Sequence, residues 1–112
     1  MNKDNLVYIQ DILDAIEKIK RYCKGVKKQE FLKNELLMDG IVRNLEIMGE
    51  AVKRLSDEFR SMYPDIPWRK IAGMRDKIIH DYINVNYDIV WDAVKEDLPQ
   101  LEKKLREIIK SN

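Results

Sequence analysis

The stretch ELLMDGIVRNLEIMGEAVKRL, residues 35–55, decides the class of fold. Its apolar residues recur every three or four positions, which places them along one stripe of an α-helix. The stripe extends beyond the stretch at both ends and consists of Phe31, Leu32, Leu36, Leu37, Ile41, Leu45, Met48, Val52, Leu55 and Phe59. We predict one long helix over residues 28–62. Asp39 and Gly40 can bend or break it, because glycine weakens a helix interior by about 1 kcal/mol relative to alanine.

Signals at helix ends divide the rest of the chain. We predict three further helices, over residues 4–24, 67–82 and 87–111, with the loop YPDIP at 63–67. Asp4 and Asn86 are capping residues, and Gly25 is a stop. Pro67 suits the first position of its helix, whereas Pro99 predicts a bend inside the last one. No segment alternates as a strand would, so we predict an all-α bundle of about four helices.

Composition limits the class of protein. A chain of 112 residues suits one domain, residues 1–112, and its formal net charge of +1 provides no global attraction to nucleic acid or membrane. Cys23 is the single cysteine, which fits a reducing compartment and a small buried side chain. The charged N-terminus lacks the apolar run of a signal peptide, and no stretch is long enough to span a membrane. We therefore expect a cytoplasmic protein.

The stretch RDKIIHDY, residues 75–82, contains the only histidine, His80. Arg75 and Tyr82 are seven positions apart and share a helix face, while Asp76 and His80 form a neighbouring ridge where the carboxylate can orient the imidazole. Arg75 and His80 lie about 140° apart around the helix axis. They converge on one target if the arginine reaches round, if the helix is distorted, or if a second copy faces the first across a two-fold axis.

These residue types suit phosphodiester chemistry. An arginine can hold a phosphate and stabilise the charge of the transition state. A histidine, with a reference pKa of about 6.5, can give or take a proton near neutral pH, and RNA supplies a 2′-hydroxyl as the nucleophile. The alternative is a surface or interface histidine paired with Asp76, since this spacing also arises by chance. Tyr82 has the corresponding alternative of a packing residue at the edge of the core.

RDKIIHDY matches the Arg-x4-His-x-Tyr signature of the HEPN superfamily and resembles its HepT-like toxins. RNLEIMGEA (43–51), IPWRKIAGMRDKIIHDY (66–82) and VW (90–91) also resemble that family in order and spacing. The resemblance covers most of the chain. Asp76 stands where relatives often have Asn, and both residues occur at that position in the superfamily.

The resemblance implies a HEPN-like bundle that forms a two-fold homodimer, with the motifs of both chains in one cleft. It implies a metal-independent endoribonuclease toxin whose antitoxin is a minimal nucleotidyltransferase. On this resemblance Arg75 and His80 are catalytic, Asp76 is supporting, and Tyr82 accepts AMP from the antitoxin. One AMP there would add bulk and negative charge beside Arg75. The alternative function is a non-catalytic interaction subunit that binds the nucleotidyltransferase and is modified by it.

Other residues carry weaker expectations. Arg43, Glu46 and Glu50 share a helix face, either as an intrahelical ion pair or as a polar network behind Arg75, and Asn44 can belong to either. We expect Trp68 and Trp91 in the core or a dimer interface, and the alternative is stacking on RNA bases. The positive charge near the motif either guides RNA or is an ordinary helix surface, and it comes from Arg69, Lys70 and Lys77. No His/Cys cluster or glycine-rich phosphate loop is present, so we predict no metal or cofactor site.

Overall fold

The structure, a computed structural model, describes residues 3–80 and 86–112; for Lys3 and residues 75–80 it describes the backbone alone. Within these residues seven α-helices follow one another: α1 (Lys3–Cys23), α2 (Lys28–Lys33), α3 (Glu35–Arg54), α4 (Asp57–Met62), α5 (Trp68–His80), α6 (Tyr87–Asp92) and α7 (Leu98–Ser111). A π-helical segment, Ala93–Asp97, joins α6 to α7. The described residues contain no strand, so the predicted all-α class is confirmed.

Four long helical rods make the bundle. α1 packs along α3 and against α7, and α3 packs along α5, while the short α2 rests on α3 and α6. The stripe of isoleucines on α1 is completely buried, and it meets buried residues of α3 and α7 in one core. Burying each such side chain stabilises the fold by about 2 kcal/mol. The sequence predicted about four helices. The structure has four long rods, α1, α3, α5 and α6–α7, and in addition the short helices α2 and α4.

The prediction of one long helix over residues 28–62 is wrong, because two capping residues interrupt it. Asn34 leaves the helical region of backbone angles, and its side chain accepts a hydrogen bond from the Leu37 N–H at 3.0 Å. Ser56 does the same, and its hydroxyl accepts from the Phe59 N–H at 3.1 Å. Each therefore begins a new helix while the apolar spacing continues. Gly40 was the expected break, but it lies inside α3.

Other helix ends agree with the sequence to within a few residues. Gly25 adopts a φ of 73° just after α1, as expected of a glycine stop. Asn86 caps α6 and accepts hydrogen bonds from two backbone N–H groups, at 3.0 and 3.3 Å. Asp4 was predicted to be a cap but lies in the first turn of α1, because the helix already includes Lys3. α5 begins one residue after Pro67, and its predicted end at Tyr82 lies outside the described residues.

The π-helical segment lies directly before Pro99, where we predicted a bend. Proline has no N–H, and its ring excludes the carbonyl four residues earlier, which here belongs to Lys95. The N–H of Leu98 accordingly donates to the Ala93 carbonyl, five residues back. The backbone angles on either side remain helical, so α6 and α7 form one continuous rod. The Lys95 ammonium lies over the Trp91 ring, 4.6 Å from its centroid.

Two polar contacts hold the ends of α1. Asn5 is buried and bonds to Ser56 just past α3, accepting from its N–H at 3.0 Å and donating to its hydroxyl at 3.2 Å. Glu102 of α7 is buried and accepts from Lys20 and Arg106, each at 3.0 Å. Burial raises the pKa of Glu102, but the hydrogen bonds and charges of these two cations outweigh it and hold the pKa below its ordinary value.

Both tryptophans lie in the core, which confirms the core alternative. The Trp68 indole N–H is shared between the carbonyls of Arg60 and Tyr63, both at 3.1 Å. Trp91 packs on Phe31 with ring centroids 5.0 Å apart. Cys23 is buried as predicted, and burial raises the pKa of its thiol. None of the described helices is long and apolar enough to cross a lipid bilayer.

Candidate functional site

Residues 75–80 of the motif occupy the last two turns of α5. Residues 75–80 are helical to the end of that helix, so Arg75, Asp76 and His80 keep the spacing of a continuous α-helix. A separation of five residues places Arg75 and His80 about 140° apart around the axis. The side chains of these three residues, and the whole of Tyr82, lie outside what the structure describes. Their catalytic, supporting and modification roles therefore stay predictions.

The first turns of α5 are firmly anchored. Trp68 is hydrogen-bonded beneath the loop that follows α4, and Ile71 is buried in the core. A small cavity of about 150 Å³ lies between three helices, where Met48 of α3 meets Ile71 and Met74 of α5. α5 starts beyond the C-terminal end of α3, and its residue Met74 lies near Met48 of α3. From Met74 onwards, α5 therefore runs towards the N-terminal half of α3. The scaffold therefore brings the motif turns alongside the part of α3 that includes Arg43 and Asn44, the first two residues of RNLEIMGEA.

The four candidate residues of α3 line a groove of about 500 Å³ between α1 and α3. Arg43 is exposed, Asn44 is buried, and Glu46 and Glu50 are half-buried. Within the part of the chain that the structure describes, no ion pair joins Arg43 to Glu46, so that intrahelical bridge is not formed. The structure thus brings these four residues together in one groove.

Asn44 is the unusual member of this group. It is only 5% exposed, and its amide nitrogen donates to the Gly40 carbonyl at 2.8 Å. Its carbonyl oxygen, Oδ1, is buried and has no hydrogen-bond partner among the described residues. A buried acceptor without a donor costs about 1–3 kcal/mol, so such atoms are rare in folded proteins. The groove therefore contains a buried acceptor, Asn44 Oδ1, that pairs with none of the described residues.

Sequence reasoning missed the other wall of the groove. Its lining includes Tyr8, Asp11, Asp14 and Lys18 of α1, together with Arg54 of α3. The α1 residues recur at spacings of three and four, beside the buried isoleucine stripe. That spacing would have revealed a polar stripe on α1. The packing of this stripe against α3 is a tertiary fact that no local pattern supplies.

Positive charge near the motif is partly compensated. Arg69 and Lys70 are exposed in the first turn of α5, beside an open groove of about 830 Å³. The Lys70 ammonium lies 3.9 Å from an Asp97 carboxylate oxygen, and an exposed pair of this kind contributes little to stability. Lys104 donates to the Asp65 carbonyl at 3.1 Å. This surface therefore carries both charges and is not a purely basic patch.

A salt bridge and aromatic contacts between α2 and α6 fix the start of α6, which follows the motif in sequence. The Lys28 ammonium of α2 lies 2.9 Å from an Asp88 carboxylate oxygen of α6. The hydrogen bond and charge of that carboxylate raise the pKa of Lys28. Phe31 of α2 is completely buried between Tyr87 and Trp91, with ring centroids at 6.3 and 5.0 Å. The start of α6 is therefore held in place just beyond residues 81–85.

Among the described residues, no three His, Cys, Asp or Glu side chains are grouped closely enough to hold a metal ion. The side chains of Asp76 and His80 do not belong to the described part of the chain. The groove between α1 and α3 is the place where acidic, basic and unpaired polar groups of the described residues meet. One of its two walls, α3, also packs along α5, the helix that carries the motif.

Comparisons with known proteins give consistent matches. A model of the protein family described as “Ribonuclease HepT-like” matches residues 12–108. A Caldanaerobacter subterraneus protein, provisionally named as an RNase, is 45% identical over 102 residues, which is 91% of each chain. A Methanocaldococcus jannaschii protein, also provisionally named as an RNase, is 39% identical over 108 residues, 96% of this chain and 89% of its own. A Thermococcus cleftensis protein named “Probable ribonuclease HepT” is 38% identical over 110 residues, covering 98% of this chain and 100% of its own. No solved structure gives a significant match.

Proposed function

Because this chain belongs to the ribonuclease HepT-like family, we propose that it is a metal-independent endoribonuclease whose catalytic residues are Arg75 and His80. One observation carries the proposal: the matched region contains Arg75, His80 and Tyr82 in the order Arg-x4-His-x-Tyr, and the first two lie on one continuous helix. No other histidine is present in the chain to serve as the proton-transfer group.

The reaction that suits these groups is transesterification of RNA. The 2′-hydroxyl attacks the adjacent phosphorus while the His80 imidazole takes its proton. The bond from phosphorus to the 5′-oxygen breaks, and that oxygen leaves with a proton from a second imidazole. The products are a 2′,3′-cyclic phosphate and a 5′-hydroxyl end. The Arg75 guanidinium pairs with the non-bridging oxygens as their negative charge grows.

Two copies of the chain supply the two imidazoles. A single chain has one histidine, whereas this reaction uses one base and one acid. The angle of about 140° between Arg75 and His80 on one helix also favours a site shared between two helices. We therefore propose a two-fold homodimer in which the motif helices of both copies line the RNA cleft. Asp76, one turn before His80, orients the imidazole, and its carboxylate favours the charged form.

Residues of α3 support the motif in this proposal. Asn44 is buried and Glu50 is half-buried on the helix that packs along α5. Groups that are held inside a helix pair can position a neighbouring side chain with little loss of entropy. We assign them, with Arg43 and Glu46 at the edge of the groove, a positioning role for Arg75.

Regulation in this proposal acts on Tyr82. A minimal nucleotidyltransferase partner transfers AMP from ATP onto the phenolic oxygen, and pyrophosphate leaves. Tyr82 lies two residues beyond His80 in sequence. A nucleotide attached there adds a phosphate that competes with RNA for Arg75 and fills the cleft.

The test is cleavage of a mixed RNA pool by the purified, unmodified protein in the presence of EDTA. We expect Arg75→Ala and His80→Ala each to lose at least about a hundredfold in rate, because charge stabilisation and proton transfer each contribute that much. Lys103→Ala, an exposed change on α7, is the matched control and keeps the wild-type rate. Intact RNA with the wild type, or undiminished cleavage by both motif variants, would refute the proposal.

A further inference from the structure

One side of α5 carries a row of residues that ends at the motif histidine. Successive residues of an α-helix turn by about 100°, so residues 69 and 80 lie within about 20° of each other and about 16 Å apart along the axis. Two further residues, at positions 73 and 76, fall between them on the same side. We call the four residues the α5 stripe: Arg69, Gly73, Asp76 and His80. The core lies on the other side of the helix, where Trp68 and Ile71 are buried.

Gly73 keeps the middle of the α5 stripe open. It is exposed, and no other described side chain comes within 4 Å of where a β-carbon on it would be. Packing within the described residues therefore gives no reason for a glycine here, although glycine weakens a helix interior. A ligand that follows the stripe gives such a reason, because a residue without a side chain lets it approach the helix backbone closely.

Arg69 is the cation at the far end of the α5 stripe. It is exposed, and within the described part of the chain no carboxylate pairs with it. The neighbouring cations are engaged, since Arg60 bonds to Asp57 and the Lys70 ammonium lies 3.9 Å from an Asp97 oxygen. The planar guanidinium of Arg69 is therefore available for a phosphate, to which it can donate two parallel hydrogen bonds.

We propose that Arg69 binds a backbone phosphate of the RNA substrate, a few nucleotides away from the bond that is cleaved at His80. A span of about 16 Å covers roughly two to four nucleotides of a single strand. The strand leaves the scissile phosphate, passes over Gly73 and pairs a further phosphate with the guanidinium of Arg69. This inference rests on the proposed function and deepens it, because it makes the substrate a single strand longer than a dinucleotide.

The proposed contact depends on position and not on net charge. The formal net charge of the chain is only +1, and the surface around Arg69 carries both charges, so general attraction to RNA is weak. Lys70 is the next residue in sequence but lies about 100° further round the helix, off the α5 stripe. The two residues carry the same charge on different sides of α5, and a comparison of their variants isolates the role of the stripe.

The first experiment measures binding to RNA that cannot be cleaved. Fluorescence anisotropy follows a labelled 2′-O-methyl octanucleotide, which lacks the nucleophile, with the wild type, Arg69→Ala and Lys70→Ala in EDTA. We expect binding to be about tenfold weaker in Arg69→Ala, through the loss of one charge-assisted contact, and within about twofold of the wild type in Lys70→Ala. The slope of log affinity against log salt should fall by about 0.7 in Arg69→Ala alone.

A second variant tests the path of the strand without changing any charge. Gly73→Leu places a side chain on the α5 stripe between Arg69 and His80, and leucine is a good helix former. We expect this variant to keep the helical circular dichroism of the wild type and to bind the octanucleotide more weakly. Undiminished binding by a folded Gly73→Leu would show that the strand does not follow the stripe.

Cleavage kinetics place the contact away from the reacting bond. With an RNA octanucleotide, Arg69→Ala should raise KM about tenfold and leave kcat unchanged, because the contact is the same in the ground state and the transition state. With a dinucleotide, which is too short to reach Arg69, kcat/KM should equal that of the wild type. A fall in kcat on both substrates would make Arg69 part of the reacting centre and overturn the inference.

The outcomes separate the inference from the function on which it rests. Wild-type affinity in Arg69→Ala, or an equal loss in Lys70→Ala, would overturn the inference, and the proposed function would stand if the Arg75 and His80 variants lose cleavage. An affinity that depends on Arg69, in a wild type that cleaves no RNA, would support the inference and refute the function. A wild type that neither binds nor cleaves RNA would overturn both.

Discussion

Removing the Phe31 ring should destabilise the fold more than any single change on the exposed surface. Phe31 is completely buried, and it alone on α2 reaches between two aromatic rings of α6. In Phe31→Ala, the lost transfer free energy and the cavity together cost about 3 kcal/mol, and the lost ring contacts add about 1 kcal/mol. We therefore expect the free energy of unfolding to fall by about 4 kcal/mol, a large part of the stability of an ordinary domain.

Urea unfolding followed by circular dichroism measures this change, at one fixed protein concentration because an oligomer gains stability from association. Leu32→Ala is the matched control, because Leu32 is the next residue on the same short helix but is 38% exposed. It should cost less than about 1 kcal/mol. If Phe31→Ala cost no more than Leu32→Ala, α2 would not fasten α6, and the argument that it fixes the chain beyond the motif would fail.

Three further results are expected. Gly25→Ala should lower the free energy of unfolding by about 1 kcal/mol, because a φ of 73° disfavours a residue with a β-carbon. Gly73→Ala should raise it by about 0.5 kcal/mol, because Gly73 lies in a helix with open space for a β-carbon. Thermal unfolding of both variants measures the two changes. Glu102 has a lowered pKa in the folded state, so its contribution is present above its unfolded pKa of about 4.3 and is lost as pH falls through the folded value. The wild type should therefore lose more stability than Glu102→Gln on acidification, and parallel losses would contradict the ion-pair account. Co-expression with the partner nucleotidyltransferase should add about 329 Da per AMP to the wild type and nothing to Tyr82→Phe; an unchanged shift in that variant would place the modification elsewhere.

The helices could be predicted from sequence because their signals are local. The isoleucine stripe of α1, the loop with two prolines and the Asn86 cap each depend on a few neighbouring residues. The prediction failed over residues 28–62 because the apolar spacing passes through two breaks without changing. Asn34 and Ser56 are good capping residues, and giving them more weight than the spacing would have found both breaks.

For the candidate site, too, some features could be predicted from local sequence and others depend on how the helices pack. The motif spacing on α5 follows from the sequence together with helix geometry, and the structure adds the direction of that helix along α3. The α1 wall of the groove, with Asp11, Asp14 and Lys18, depends on which helices pack together. The burial of the Asn44 oxygen, which no described residue pairs with, is likewise a property of the packed molecule, since an isolated helix would leave it in water.

The π-helical segment affects how a displacement at one end of the α6–α7 rod reaches the other end. Val90, Val94 and Leu98 are buried at two successive spacings of four, which in a regular α-helix would carry the stripe about 80° away from the core. The wider turn at Ala93–Asp97 corrects this phase error without breaking the rod. α6 and α7 thereby stay one continuous rod whose buried residues face the same core. A displacement of the chain entering at Asn86 would therefore be carried along the rod to Glu102 and the far end of α7.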